Sequence, residues 1–86
     1  MAHWELVIER RAQKALARIE KRDRDRIAKA IRALAQEPRP SGAKKLAGRD
    51  AYRVRVGDYR VLYEIDGDRL VVLVVDVGHR RAIYRG

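Results

Sequence analysis

The chain has no cysteine among its 86 residues. That excludes a disulfide staple and any thiolate metal site, and it suits a reducing, cytosolic setting. Long hydrophobic runs are also missing. The longest, LVVLVV at residues 70–75, falls far short of the roughly 20 residues that a membrane-spanning helix requires. The opening MAHWELVIERRAQKA carries charge from Glu5 onward and lacks the apolar centre of a secretory signal. No repeat, low-complexity segment or His/Asp/Glu cluster at metal-ligand spacing is visible, so neither a metal nor another cofactor is expected. These absences together predict a soluble, cytoplasmic protein without membrane contact.

What is abundant is positive charge. Lys and Arg number 21 against 12 Asp and Glu, a net +9, and 16 of the 21 are Arg. A GC-rich coding sequence explains the preference for Arg over Lys as well as function does. It does not explain the net charge, because Asp and Glu codons were equally available. So much charge on one small chain favours a polyanionic partner: nucleic acid, ribosome or an acidic protein. The length fits a single domain over residues 1–86. A domain this short buries only about 60 to 65% of its unfolded surface, so its core is modest and a partner is a natural source of added stability.

The hydrophobic period changes along the chain. Residues 3–8 alternate Trp4, Leu6 and Ile8 with polar positions, which predicts a strand. Ala12, Ala15, Leu16 and Ile19 then follow at the spacing of an amphipathic helix. The KRDRDR stretch interrupts that helix, with Asp23 as a candidate N-cap for the next. A second helical stripe follows at Ile27, Ala30, Ile31 and Leu34, and Pro38 and Pro40 end it. PRPSGAKKLAGRD reads as a loop. Beyond it the period is two: Tyr52, Val54 and Val56, then Tyr59, Val61, Tyr63 and Ile65. DGD at residues 66–68 marks a turn, and LVVLVVDV, without alternation, suits a strand buried on both faces. The order β-α-α-β-β-β predicts an α+β domain: a mainly antiparallel four-stranded sheet with two N-terminal helices packed on one face.

YRVRVGDYRVLY, residues 52–63, raises a sharper question. With Gly57-Asp58 as a two-residue type II′ loop, Val56 stands opposite Tyr59 and Arg55 opposite Arg60. Opposed residues share a face and so do residues two apart, so Arg53, Arg55 and Arg60 gather on one side of the hairpin. Two readings are open. One is a solvated side whose long Arg stems cover Leu62. The other is an anion site, since guanidinium forks match phosphate oxygens. Close clustering with only Glu64 nearby favours the second. The tail VGHRRAIYR carries the same two readings. His79, Arg80, Arg81, Tyr84 and Arg85 are ordinary packing and surface residues, or they bring charge stabilisation, base stacking and a titrating group to RNA.

KKLAG, YRVRVGDYRVLY and VGHRRAIYR, in this order and at these spacings, resemble the RelE branch of the RelE/ParE toxin superfamily over essentially the whole chain. The resemblance implies a type II toxin. It would be a messenger-RNA endonuclease that acts in the A site of the 70S ribosome and is neutralised by a cognate, RelB-like or other small antitoxin. It implies catalytic roles for Arg53, Arg55, Arg60, Arg80 and Tyr84. RNA contacts would come from Lys44, Lys45, Arg81 and Arg85, and His79 is a candidate for proton transfer. Arg55 stands where the best-known RelE toxin has lysine, and the stretch between Arg80 and Tyr84 is shorter than in that toxin. Two alternatives stand beside it: a ParE-like gyrase inhibitor that cuts no RNA, a class that shares the fold but usually lacks the basic set that Arg53, Arg55, Arg60, Arg80 and Tyr84 would form, and an RNA- or ribosome-binding module without chemistry, which the arginine face alone does not exclude.

Overall fold

The structure, a computed structural model, describes residues 4–46 and 50–79. Strand β1 (Glu5–Ile8) leads into helix α1 (Arg10–Ala17) and helix α2 (Lys21–Leu34). A two-residue strand β2 (Lys44–Lys45) follows, then β3 (Ala51–Val56), β4 (Tyr59–Asp66) and β5 (Val71–His79). The α+β class and the element order agree with the expectation, and the sheet differs in detail. It has five strands in the order β1-β5-β4-β3-β2. β1 runs parallel to β5, and the other pairings are antiparallel. The extra strand lies inside the expected loop, where Lys44 pairs with Arg53 and Lys45 with Tyr52.

Both helical stripes do what their spacing implies. Ala12 of α1 and Ile27, Ile31 and Leu34 of α2 are buried against the sheet, with Ile19 of the interhelical link beside them. Asp23 is not the N-cap of α2. Glu20 holds that position without a side-chain cap bond, and Asp23 sits in the first turn, where its charge still complements the helix dipole. α2 stops at Leu34, ahead of the prolines, and the Ala35 carbonyl accepts the Trp4 N–H at 2.9 Å, so one of the carbonyls left over at the helix end ties β1 to the helical layer.

β5 does not lie buried on both faces. Val72, Val74 and Val77 are buried, while Val71, Leu73 and Val75 are only half-buried. Both helices pack on one face of the sheet, so among the described residues no helix covers the other face. A bulge opposite Leu62 and Tyr63 shifts the register, which keeps Val74 and Val77 both on the covered face despite their odd spacing.

The core on that face is closed by Tyr63, the largest fully buried side chain. Its hydroxyl donates to the Pro38 carbonyl at 2.7 Å, and burial pushes its phenol up to about 12. Tyr52, its cross-strand partner, stacks on it with ring centres 5.8 Å apart. Arg39 in turn lies over the Tyr52 ring at 5.4 Å and donates from Nε to the Tyr52 hydroxyl at 2.9 Å.

Candidate nucleic-acid interface

The β3–β4 register is the one that the two-residue turn dictates: Val56 opposite Tyr59, Arg55 opposite Arg60, Arg53 opposite Leu62. Gly57 has φ 60°, and Asp58 is not among the non-glycine residues with positive φ. One positive φ at the first central position is the type II′ pattern. Tyr52, Val54, Val56, Tyr59, Val61 and Tyr63 consequently pack toward the helices. Arg53, Arg55 and Arg60 are left on the open face.

Two neighbours complete that face. Lys44 of β2 pairs with Arg53, which puts it on the open side. Gly78 of β5 pairs with Arg60, so the β5 residue directly opposite that arginine brings no side chain. Lys44, Arg53, Arg55 and Arg60, together with Gly42, line a cleft of about 130 Å³. Cavities that enclose whole small molecules are typically about 300 to 1,000 Å³. This cleft is suited to gripping one charged group while the rest of a larger ligand stays on the surface. Arg55 is exposed and Arg53 and Arg60 are half-buried, with Nη1 of Arg60 shut off from solvent. Arg55 donates from Nε to the Gly57 carbonyl at 3.1 Å, which holds its guanidinium at the rim by the turn.

Four cations line the cleft, and among the described residues lining it none is acidic. Like charges directly opposed across a sheet repel. Here Arg55 faces Arg60 and Lys44 faces Arg53. An anion in the cleft would relieve both contacts at once and gain charge-assisted hydrogen bonds.

The structure separates the residues singled out in the sequence. Lys44, Arg53, Arg55 and Arg60 come together. Lys45 does not join them, for it pairs with Tyr52 on the other face and its Nζ lies 3.9 Å from the Asp50 carboxylate. His79 pairs with Tyr59, and its ring meets that ring edge-on at 5.9 Å. That is the helix side of the sheet, away from the arginines, so the proton-transfer role considered for His79 gains no geometric support. Arg80, Arg81, Tyr84 and Arg85 lie outside the described residues. Two residues gain a place only from the fold. Gly42, in a segment whose composition marks only a loop, lines the cleft. Arg26 of α2 brings its guanidinium to 3.6 Å from the point where a Cβ on Gly57 would stand, which closes the turn from the helix side.

Comparison with known proteins gives the class. A family model described as "ParE toxin of type II toxin-antitoxin system, parDE" matches residues 6–84. The chain belongs to this family of toxins, within the RelE/ParE superfamily. Solved structures that it resembles include toxins titled RelE. One is the RelE–RelB complex of Pyrococcus horikoshii, at 27% identity and a TM-score of 0.80, covering 95% of this chain and 99% of that one. Another is the RelB–RelE antitoxin–toxin complex of Methanococcus jannaschii, at 29% identity and a TM-score of 0.71, covering 91% and 94%. A third is a mutant of the Escherichia coli toxin RelE in the free state, at 28% identity and a TM-score of 0.78, covering 96% and 88%. No curated protein matches the chain.

Proposed function

We propose that this toxin is a ribosome-dependent endoribonuclease that cuts messenger RNA in the A site and so arrests translation. The observation that carries the reading is the cleft in which Lys44, Arg53, Arg55 and Arg60 converge without an acidic residue among its described lining. In this reading the cleft grips the backbone at the scissile phosphate. The 2′-hydroxyl of the preceding nucleotide attacks phosphorus in line. A new 2′-O–P bond forms as the P–O5′ bond breaks, which leaves a 2′,3′-cyclic phosphate and a 5′-hydroxyl; the proton lost at O2′ is matched by one gained at O5′. Arg53, Arg55 and Arg60 stabilise the charge that builds on the phosphorane. Arg80, just beyond β5, would add to them, and Tyr84 would stack a base to keep nucleophile and leaving group aligned. Arg81, Arg85 and Lys45 would contact the backbone outside the cleft.

Guanidinium groups stay protonated at neutral pH, so the cleft offers charge rather than a proton shuttle. Acceleration would rest on positioning and electrostatics, which fits an enzyme whose substrate geometry is supplied by the ribosome. The reading places the protein in the cytoplasm with a cognate antitoxin, as the toxin–antitoxin complexes among its structural neighbours support. An acidic antitoxin segment would match the +9 charge.

A second reading has its own support, since the matching family is described by the ParE toxin. In that case the protein would inhibit DNA gyrase by binding it. Primer extension on a defined messenger RNA, with and without translating ribosomes, separates the two. Cuts within codons that require ribosomes and disappear in Arg60→Ala and Arg80→Ala are the expected result. Absence of cuts with folded protein, together with inhibition of gyrase supercoiling, would replace the nuclease reading with the gyrase one.

A further inference from the structure

The cleft contains a mechanical problem. β2 is two residues long, and both are lysines. Lys44 is placed against Arg53, with Arg55 and Arg60 across the same cleft. So short an edge strand gains little from its own pairing, and two cations opposed across a sheet disfavour it further. Beyond its ladder with β3, backbone bonds beside it run from Leu46 N–H to the Ala51 carbonyl at 2.8 Å and from Ala43 N–H to the Pro40 carbonyl at 2.9 Å.

What else fixes this segment lies on the opposite side of the sheet. The Tyr63 hydroxyl holds the Pro38 carbonyl, and Tyr52, stacked on Tyr63, holds Arg39. Pro38 and Pro40 each have φ locked near −65° by the ring, and the Ala43–Pro40 bond turns the chain between them and β2. The leash from the tether to Lys44 is therefore short, and it is restrained at its start by the two prolines. Tyr52 is also the β3 residue just before Arg53, so the side chain that grips Arg39 and the one that lines the cleft alternate on one strand.

We infer that Tyr63, with Tyr52 and Arg39, forms a positioning device for the anion cleft. It pins the segment before β2 so that Lys44 stays in the cleft against like-charge repulsion. The inference rests on the reading of the cleft as a phosphate site. It assigns a role in RNA binding to three residues outside the lining of the cleft. The alternative is that the Tyr63 bond only satisfies a buried hydroxyl.

The two are separated by a double-mutant cycle between Tyr63→Phe and Lys44→Ala. Binding of a fluorescein-labelled single-stranded RNA oligomer to the purified protein would be followed by anisotropy over a salt series, with circular dichroism confirming the fold. In the native background Lys44→Ala should weaken binding about tenfold, as for loss of one charged hydrogen bond. In the Tyr63→Phe background Lys44 has already left, so the further loss should be under about twofold, which is strong coupling between groups on opposite faces. Tyr63→Phe alone should lower the steepness of the salt dependence by about 0.7, the value for one phosphate contact on a single strand. Arg39→Met, at an exposed position, provides a second cycle with Lys44→Ala that does not touch the core, and coupling in the same direction is expected. Equal factors for Lys44→Ala in every background would overturn the positioning role while leaving the cleft reading intact. If Lys44→Ala, Arg53→Ala and Arg60→Ala all leave RNA binding unchanged, the cleft reading itself fails, and the positioning role fails with it.

Discussion

Tyr63 shows how one side chain sets a stability that pH can read. Desolvation pushes its phenol from 10.0 up to about 12. In the unfolded chain the group ionises near its ordinary value, so between pH 10 and about 12 the unfolded state gains from deprotonation and the folded state does not. The contribution is fully present below pH 10 and is lost as pH rises through the folded value. Urea titrations should show the midpoint falling across that window. Tyr63→Phe should remove this part of the fall and, at pH 7, should lower stability by about 1 to 3 kcal/mol, because the Pro38 carbonyl loses its donor. An unchanged alkaline slope in Tyr63→Phe would assign the titration to another group. The residue also shows what a sequence conceals. Its place on the apolar face of the hairpin is plain from the period of two. Its partner is 25 positions away in a segment that composition marks only as loop, and no local pattern connects them. The arginines were legible for the opposite reason, since a strand's alternation and a two-residue turn are both local.

Among the elements, the β3–β4 hairpin is the most fully specified by its own residues. Gly57 supplies the positive φ that a type II′ turn demands, while the Arg26 guanidinium, 3.6 Å from where a Cβ would stand, is at ordinary contact distance, so backbone conformation and not space is what calls for glycine. Gly57→Ala introduces strain at φ 60° and should destabilise the protein by more than about 1 kcal/mol, measured as a lower urea midpoint at unchanged slope. It should also loosen the Arg55–Arg60 pairing and weaken RNA binding. Gly57→Asn, which tolerates the left-handed region better, should recover part of both; if alanine and asparagine are equally mild, the turn is not what holds the register. Other elements were less legible. β2 is too short and too charged to have any strand signal. The valine-rich run of β5 looks the same whether one face or two are covered, and only the placement of both helices on one side decides it. The parallel pairing of β1 with β5 joins the first and last strands, so nothing near either in sequence announces it.

At the scale of the whole molecule, a charge of +9 on 86 residues opposes the compact state through self-repulsion, and four of the cations line one cleft. Any anion that binds the folded cleft and not the unfolded chain must therefore stabilise the protein by mass action. Inorganic phosphate at about ten times its dissociation constant should add about 1.4 kcal/mol, which for a domain of this size corresponds to about 6 to 11 °C in melting temperature. Sodium chloride at equal ionic strength screens the same charges without filling the site, so its effect should be smaller. Phosphate also strengthens burial in any protein by exclusion from the surface, and the variant Arg60→Ala isolates that part. Thermal melts of the native protein and of Arg60→Ala, in phosphate and in chloride, should show an excess gain from phosphate in the native protein alone. An equal excess in the variant would mean that the cleft holds no anion, and the common site for phosphate recognition would have to be sought elsewhere on the surface.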